Sequence, residues 1–419
     1  MDSKQLQAYS VKSTPVKNKE SVEVLRDAEM LLYQSPLVES TSVSSRIVEN
    51  NCDSTSYTDS SSSITCQLAS GSDYIRPKDC VFTFVWKCDF TGDGTCGFGE
   101  SSQGNGSVLN LFRNFRISSR GSSNEIDNRQ HNNVLAPALM RSKYNADWWD
   151  TWKTLIGSDV IKTTLATGVS RTFVIPMYLF SDLFCVDSLV PAELMSSLSL
   201  HWDLESLNNS IMKDGAFSAG SYTISNPKVL TVNHRLTDDT HTSLREQAKD
   251  NFLELNFSSY HHQSQNITST HNEIISRSTM RALGVRSVYR LTANLNDDTK
   301  DTFASDNKLN QVQARLGSTF YPNQRLTDPK VIYYATLQSE GKCKGITKLD
   351  YTAWSGKQGF YSQSLERSAS LQFSGSAISS SQQLAVNNAF STADAKRADT
   401  YVEFVNNLKI NLTNVLVYN

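Results

Sequence analysis

The stretch Arg171–Glu205, RTFVIPMYLFSDLFCVDSLVPAELMSSLSLHWDLE, decides the fold class. It opens as an apolar strand, passes through a loop whose hydrophobic anchors are interrupted by Pro191, and ends in a segment alternating through Leu198, Leu200, Trp202 and Leu204. A period of two sends successive side chains to opposite faces of a strand. One face of this segment is therefore expected in a core, and the other carries Ser199, His201, Asp203 and Glu205. The pattern places no catalytic group; it is architecture.

The same period recurs on both sides. Upstream, Phe82, Phe84, Trp86, Cys88 and Phe90 alternate, as do Leu109, Leu111, Phe115 and Ile117 with Arg113 among them, the two runs being joined by a Gly-rich connection. Asp147, Trp148, Trp149, Trp152, Leu155 and Ile156 have helical spacing, with Gly157 as a stop. Tyr222 to Arg235 adds a strand in which Pro227 marks an edge or a bend. After a polar hinge around Asp238 to Asp250 the pattern starts again: Leu253, Leu255 and Phe257 alternate, Val285 to Leu295 and Val312 to Leu316 are β stretches, and Asp328-Pro329 opens a helix that ends by Gly341. Leu408, Ile410 and Leu412 return to strand before Val415 to Val417. The chain is thus expected to be all-β with a few short helices: two tandem antiparallel β-sandwiches, residues 76–240 and 241–419, each with an inserted helix. The likeness of the halves is one of pattern, without residue-level identity.

Residues 1–75 have the composition of an N-terminal arm. Glu20 to Tyr33 carries a short amphipathic helical pattern through Val24, Leu25, Ala28, Leu31 and Leu32, and the Ser-rich run Ser54 to Ser63 is too polar to offset chain entropy by burial. An arm docking on neighbouring subunits and a disordered terminus with a frayed helix both fit. The bases of residues 1–50 are offset by acids, so this arm lacks the basic excess of a segment that neutralises nucleic acid.

With 419 residues, 38% hydrophobic and 20% charged, the chain has material for two cores. A formal charge of -2 argues against a general electrostatic grip on nucleic acid or anionic membrane. There is no run of eighteen apolar residues, and the first residues lack the apolar core of a signal peptide, so synthesis in the cytosol or nucleus is expected. In that setting the seven cysteines, none in a C-x-x-C pair, are expected as free thiols. Sequons at Asn105, Asn208, Asn256, Asn266 and Asn411 are what an Asn-, Ser- and Thr-rich chain yields by chance.

Several stretches imitate chemistry. In Asp89 to Glu100, DFTGDGTCGFGE, the oxygens of Asp89, Thr91, Asp93 and Glu100 fall at calcium-loop spacing, but the entering segment is a strand and no helix flanks either side. His261, His262 and His271 lack a placed carboxylate or thiol and are expected on a solvated surface. Trp148, Trp149 and Trp152 could stack a sugar or pack a helix over one end of a sandwich, and packing is the expectation. Arg113 and Arg116 are expected in ordinary ion pairs, and Asp203 and Glu205 on a solvent or subunit-contact face. Nucleophile-elbow, zincin and phosphate-loop motifs are missing from the sequence, so no catalytic, cofactor-binding or metal-binding residue is assigned.

From Tyr74 to Asn419 the chain resembles the double jelly-roll major capsid proteins of non-enveloped DNA viruses, of the type found in polinton-like viruses and relatives. The carriers are YIRPKDCVFTFVWK (Tyr74 to Lys87), NLFRNFRISSRGSSNEIDN (Asn110 to Asn128), VIPMYLFSDLF with LVPAELMSSLSLHWDLE, and RLGSTFYPNQRL (Arg315 to Leu326). The resemblance implies two tandem jelly rolls, a pseudo-hexameric homotrimer, and an icosahedral virus shell built from such trimers. It also implies penton and minor capsid proteins as partners, a place in the virion after assembly in the host cytoplasm or nucleus, and neither a cofactor nor sequence-specific contact with nucleic acid. A tandem β-sandwich carbohydrate-binding or attachment protein using Trp148, Trp149 and Trp152 is the alternative.

Overall fold

In the computed structural model, residues 42–418 are described except for 62, 101–105, 121–124, 216–217, 240, 243–252, 307, 342–348, 369–372 and 411–414. The helix expected at Glu20 to Tyr33 lies outside them, as does most of the expected hinge.

Sixteen strands carry the architecture. The first eight are β1 (Ser42–Asn51), β2 (Ser63–Gln67), β3 (Val81–Thr91), β4 (Phe112–Ser119), β5 (Glu125–Arg129), β6 (Ser170–Pro176), β7 (Leu198–Leu204) and β8 (Ser218–Leu236). The next eight are β9 (Leu253–Ile267), β10 (Thr270–Ile274), β11 (Thr279–Leu291), β12 (Leu309–Leu316), β13 (Thr319–Leu326), β14 (Tyr361–Ser364), β15 (Leu384–Phe390) and β16 (Lys396–Ile410). In the first set one sheet runs β1-β8-β3-β6 and the other β2-β7-β4-β5. In the second set the orders are β9-β16-β11-β14 and β10-β15-β12-β13. Adding eight to each strand number converts one set into the other. These ladders are all antiparallel.

Helices repeat as well. Three residues after β5 comes α1 (Asn132–Lys143), followed by α2 (Ala146–Trp152); three residues after β13 comes α3 (Pro329–Ser339), followed by α4 (Tyr351–Ala353). The Asp328 side chain accepts from the Lys330 and Val331 amides, capping α3, with proline at its first position. Sequence reasoning expected one helix per half and did not find α1. That helix is buried from Asn132 to Ser142, so it has no polar face to set a period against, and Pro137 interrupts its pattern.

The alternating end of Arg171–Glu205 sits at the centre of the first core. Leu198, Leu200 and Trp202 are fully buried, and Trp202 stacks on Phe82 from the opposite sheet at 4.3 Å between ring centroids. Phe112, Phe115 and Phe180 close around this pair, each such contact adding about 0.5–1.5 kcal/mol beyond simple burial. At Asn226-Pro227 the pairing of β8 with β3 shifts register, the bend that Pro227 signalled.

Several expectations need correction. The arm expected over 1–75 overlaps the first sandwich, because residues 42–51 form β1 along β8 and 63–67 form β2 along β7. The Ser-rich sequence of β1 has no apolar alternation because most of the strand is exposed. Leu109 and Leu111 lie in a 3-10 turn ahead of β4 rather than in the strand. The His261-His262 stretch is the middle of the fifteen-residue strand β9, not a solvated loop. Gly157 follows α2 by several residues; its φ of +70° and the Phe173 ring against it explain the glycine there.

Candidate functional site: the seam between the sandwiches

The densest polar chemistry lies where the two sandwiches meet. β5 of the first, with the turn Asp182–Cys185 that follows β6, lies against β9 of the second, and α1 lies against β11. Asp127 on β5 is fully buried and accepts from the hydroxyls of Ser181 and, across the seam, Ser259, the latter at 2.5 Å. Arg129 on the same strand, also buried, reaches Asp182 at 3.1 Å and the Ser258 carbonyl at 3.4 Å, with its guanidinium 4.9 Å from the centre of the Tyr260 ring. Lys143, the last residue of α1, shares Asp182 at 3.3 Å. Asp127 and Arg129 share a strand face because they are two apart.

These charges set one another's protonation. Burial raises the Asp127 carboxyl and outweighs the pull of Arg129. Burial acts the same way on Asp182, but there Lys143 and Arg129 win and hold the carboxyl below its ordinary range. Next to this group Arg286 on β11 holds Glu340 at 2.7 Å and also pairs with Glu403 on β16; burial opposes ionisation of Glu340, and Arg286 overrides it.

A second polar group joins the sandwiches at the start of α1. His131 has left-handed backbone (φ 48°), its carbonyl accepts from the Tyr401 hydroxyl at 3.0 Å, and its ring lies 4.6 Å from that of His262. His262 bonds Asp399 at 2.9 Å, which also takes Arg290 and Arg397. Burial, reinforced by His262, pushes His131 down to about 3, so it is neutral near pH 7. His271 is also buried, bonded to Glu273 and to the Tyr289 hydroxyl. The expected solvated surface is thus, for His262 and His271, a set of core contacts, while His261 is half-buried; their partners were not legible in one dimension because Asp399 is 137 residues from His262.

Other candidates resolve into structure. Glu205, expected on an exposed face, is buried and accepts from Asn133 on α1 at 3.1 Å. Asp203 is half-buried and bonds Asn114 and Arg116, while Arg113 points to solvent on the other face. Trp149 is buried; Trp148 stacks on Tyr144 at 4.2 Å and donates its indole N–H to the Tyr178 hydroxyl, so α2 packs on the first sandwich with the rings that a sugar platform would need. Asp89 pairs with Lys87 and Glu100 with Lys357, so the carboxylates at both ends of the calcium-like loop are engaged by lysines. Among the described residues no group of three or more His, Cys, Asp or Glu is arranged to hold a metal ion, and no helix is long and apolar enough to cross a membrane. Cys52, Cys66, Cys80, Cys88, Cys96 and Cys185 are free thiols; Cys343 lies outside the described residues.

No protein-family model matches the chain, and no curated protein matches it in sequence. Solved structures do. The Faustovirus major capsid protein superposes with a TM-score of 0.65 at 10% identity, covering 97% of this chain and 96% of its own. PBCV-1 VP54, fitted into a reconstruction of the virophage Sputnik, gives 0.61 at 12% identity, covering 92% of this chain and 99% of its own. The cryo-EM structure of the Sputnik virophage gives 0.64 at 10%, covering 92% of each. The chain has the double jelly-roll fold. Its two sandwiches are the two rolls, and the seam is the contact between them.

Proposed function

We propose that this chain is a major capsid protein that assembles as a pseudo-hexameric homotrimer, with such trimers tiling an icosahedral virus shell. The observation that carries the reading is the end-to-end likeness: nearly the whole of this chain superposes on nearly the whole of the Faustovirus major capsid protein. A double jelly roll with a buried charged seam is a rigid two-lobed block, and a formal charge of -2 lets many copies pack without strong mutual repulsion. In this reading the protein is not an enzyme, its partners are its own copies together with penton and minor capsid proteins, and its place is the virion after assembly in host cytoplasm or nucleus. Contact with the genome is left to other components.

Light scattering and negative-stain microscopy on the purified chain test this. Trimers, or sheets and shells built from them, are the expected result; a strict monomer at high concentration overturns it.

A further inference from the structure

Cys52 and Cys66 face each other where the two sheets of the first roll meet. β1 runs along β8 in one sheet as far as Asn51, and β2 runs along β7 in the other. At the next residue the chain turns the corner. Cys52 donates its amide to the Pro227 carbonyl on β8 at 3.2 Å and forms an antiparallel bridge with Cys66, which pairs on its other side with Leu200 of β7. The bridge is of the non-hydrogen-bonded kind, because the ladder bond beside it runs from the Asp53 amide to the Thr65 carbonyl, at 3.0 Å, and passes over both cysteines. Residues paired in this way have Cα atoms about 4.5 Å apart and side chains on one face, inside the window of roughly 4.4–6.8 Å that a disulfide spans.

The side chains agree with the backbone. Both thiols pack on the first core, Cys66 fully buried and Cys52 half-buried. The Cys66 thiol leans towards the end of β1, donating to the Asn50 carbonyl at 3.5 Å, and the two thiols hydrogen-bond each other. That bond, followed by burial, holds the Cys52 thiol above its ordinary value, so little thiolate is present near pH 7 and its reactions are slow. The approach to Cys52 is already fixed: the Asn50 side chain accepts from the Ala69 amide at 2.6 Å and donates to the Val229 carbonyl at 3.0 Å, tying the end of β1 to the segment after β2 and to β8.

We propose that Cys52 and Cys66 are an oxidation site, which a small-molecule disulfide of the glutathione class converts into an intramolecular disulfide stapling the two sheets of the first roll. The thiolate of Cys52, the half-buried partner, attacks one sulfur of the reagent; the reagent S–S bond breaks, a mixed disulfide forms on Cys52 and one reagent thiolate leaves. The Cys66 thiolate then attacks the Cys52 sulfur, forms the protein disulfide and expels the second reagent thiolate. The two cysteine protons end on the two released thiols, so the protein loses two electrons and the reagent gains them. The bond closes a loop of fifteen residues from Cys52 to Cys66, a cross-link that restricts the unfolded chain. Cys88 on β3 and Cys96 form a second hydrogen-bonded pair, but both are sealed in the core. Cys185 is exposed, and its thiol bonds Asp182 rather than another thiol.

The test incubates the folded full chain with excess oxidised glutathione, blocks the remaining free thiols in denaturant, and maps tryptic peptides by mass spectrometry. The peptide Ile47–Lys78 carries Cys52 and Cys66 and no other cysteine. It should return unblocked and lacking two hydrogens, while Cys88 and Cys96 return blocked. The oxidised protein should melt a few degrees above the reduced one, and Cys52→Ser should melt alike under both conditions. Glutathione retained on Cys52 without closure overturns the proposal, as does a peptide blocked at both thiols while Cys185 carries glutathione. Closure only when the reaction is run in denaturant overturns it as well, since the fold would then not preset the pair. An unchanged melting temperature in the linked protein overturns the staple.

Discussion

Arg129 shows what single residues do at the seam. Its side chain is 1% exposed, and it balances Asp127 and Asp182 while lying against the Tyr260 ring of the other roll. Replacing it with Met roughly keeps the volume but leaves buried Asp127 without its cation and Asp182 with Lys143 alone, and breaking a buried pair in this way costs about 3–5 kcal/mol. Chemical denaturation of Arg129→Met should show a loss of that order, and a loss below about 1 kcal/mol would mean the seam charges are solvated. His131 makes the seam pH-sensitive. It is held neutral in the fold down to about 3, whereas the unfolded chain takes up a proton near its ordinary value of 6.5, so stability falls as pH drops from 6.5 towards 3. Asp182 and Glu340, held below their ordinary range, add losses of the same sign at the acid end of that window; Asp127, raised by burial, opposes them. Melting temperature measured between pH 7 and 5 should fall less steeply in His131→Asn, since asparagine tolerates the left-handed backbone and does not titrate. None of these residues was legible as a site in the sequence. Asp127 lies 132 positions from Ser259, and a one-dimensional pattern carries no information about which buried polar groups meet across such a separation.

At the scale of elements, strands with one face in a core announced themselves and elements with unusual burial did not. β3 and β7 alternate because one side meets aromatic rings and the other carries half-buried residues such as Val85, Lys87, His201 and Asp203, and Phe82, Phe84, Trp86 and Trp202 were read correctly as core. β1 was missed because an exposed strand needs no apolar period, and α1 because a helix buried all round has none to show. α3 was found from its cap and first-turn proline, its run through Tyr333, Tyr334 and Leu337, and its stop by Gly341. Asp328 supplies an oxygen to two first-turn amides that otherwise lack partners, so Asp328→Ala should destabilise the protein by about 1 kcal/mol. Denaturant titration would show this as a shifted midpoint with unchanged slope; a changed slope would mean that the helix unfolds separately from the roll that carries it.

For the whole molecule, α1 makes the two rolls one mechanical unit. Ala136 and Met140 belong to the core of the first roll, while Val134, Leu135, Ala138 and Leu139 of the same helix belong to the core of the second. In exchange, Leu255, Phe257 and Leu408 from the second roll join the core of the first. Neither roll therefore completes its core without residues of the other, and the duplication visible in strand order does not yield two independent domains. Calorimetry should show one unfolding transition whose van't Hoff and calorimetric enthalpies agree, rather than two. Leu135→Ala leaves a cavity in the second core from a residue whose backbone belongs to the first, at a cost of about 2–5 kcal/mol. If the rolls unfold together, that variant lowers the single transition as a whole. If instead a second, unshifted transition separates from it, the first roll is stable alone and the helix is only an attachment, which would contradict the shared cores on which this two-lobed block depends.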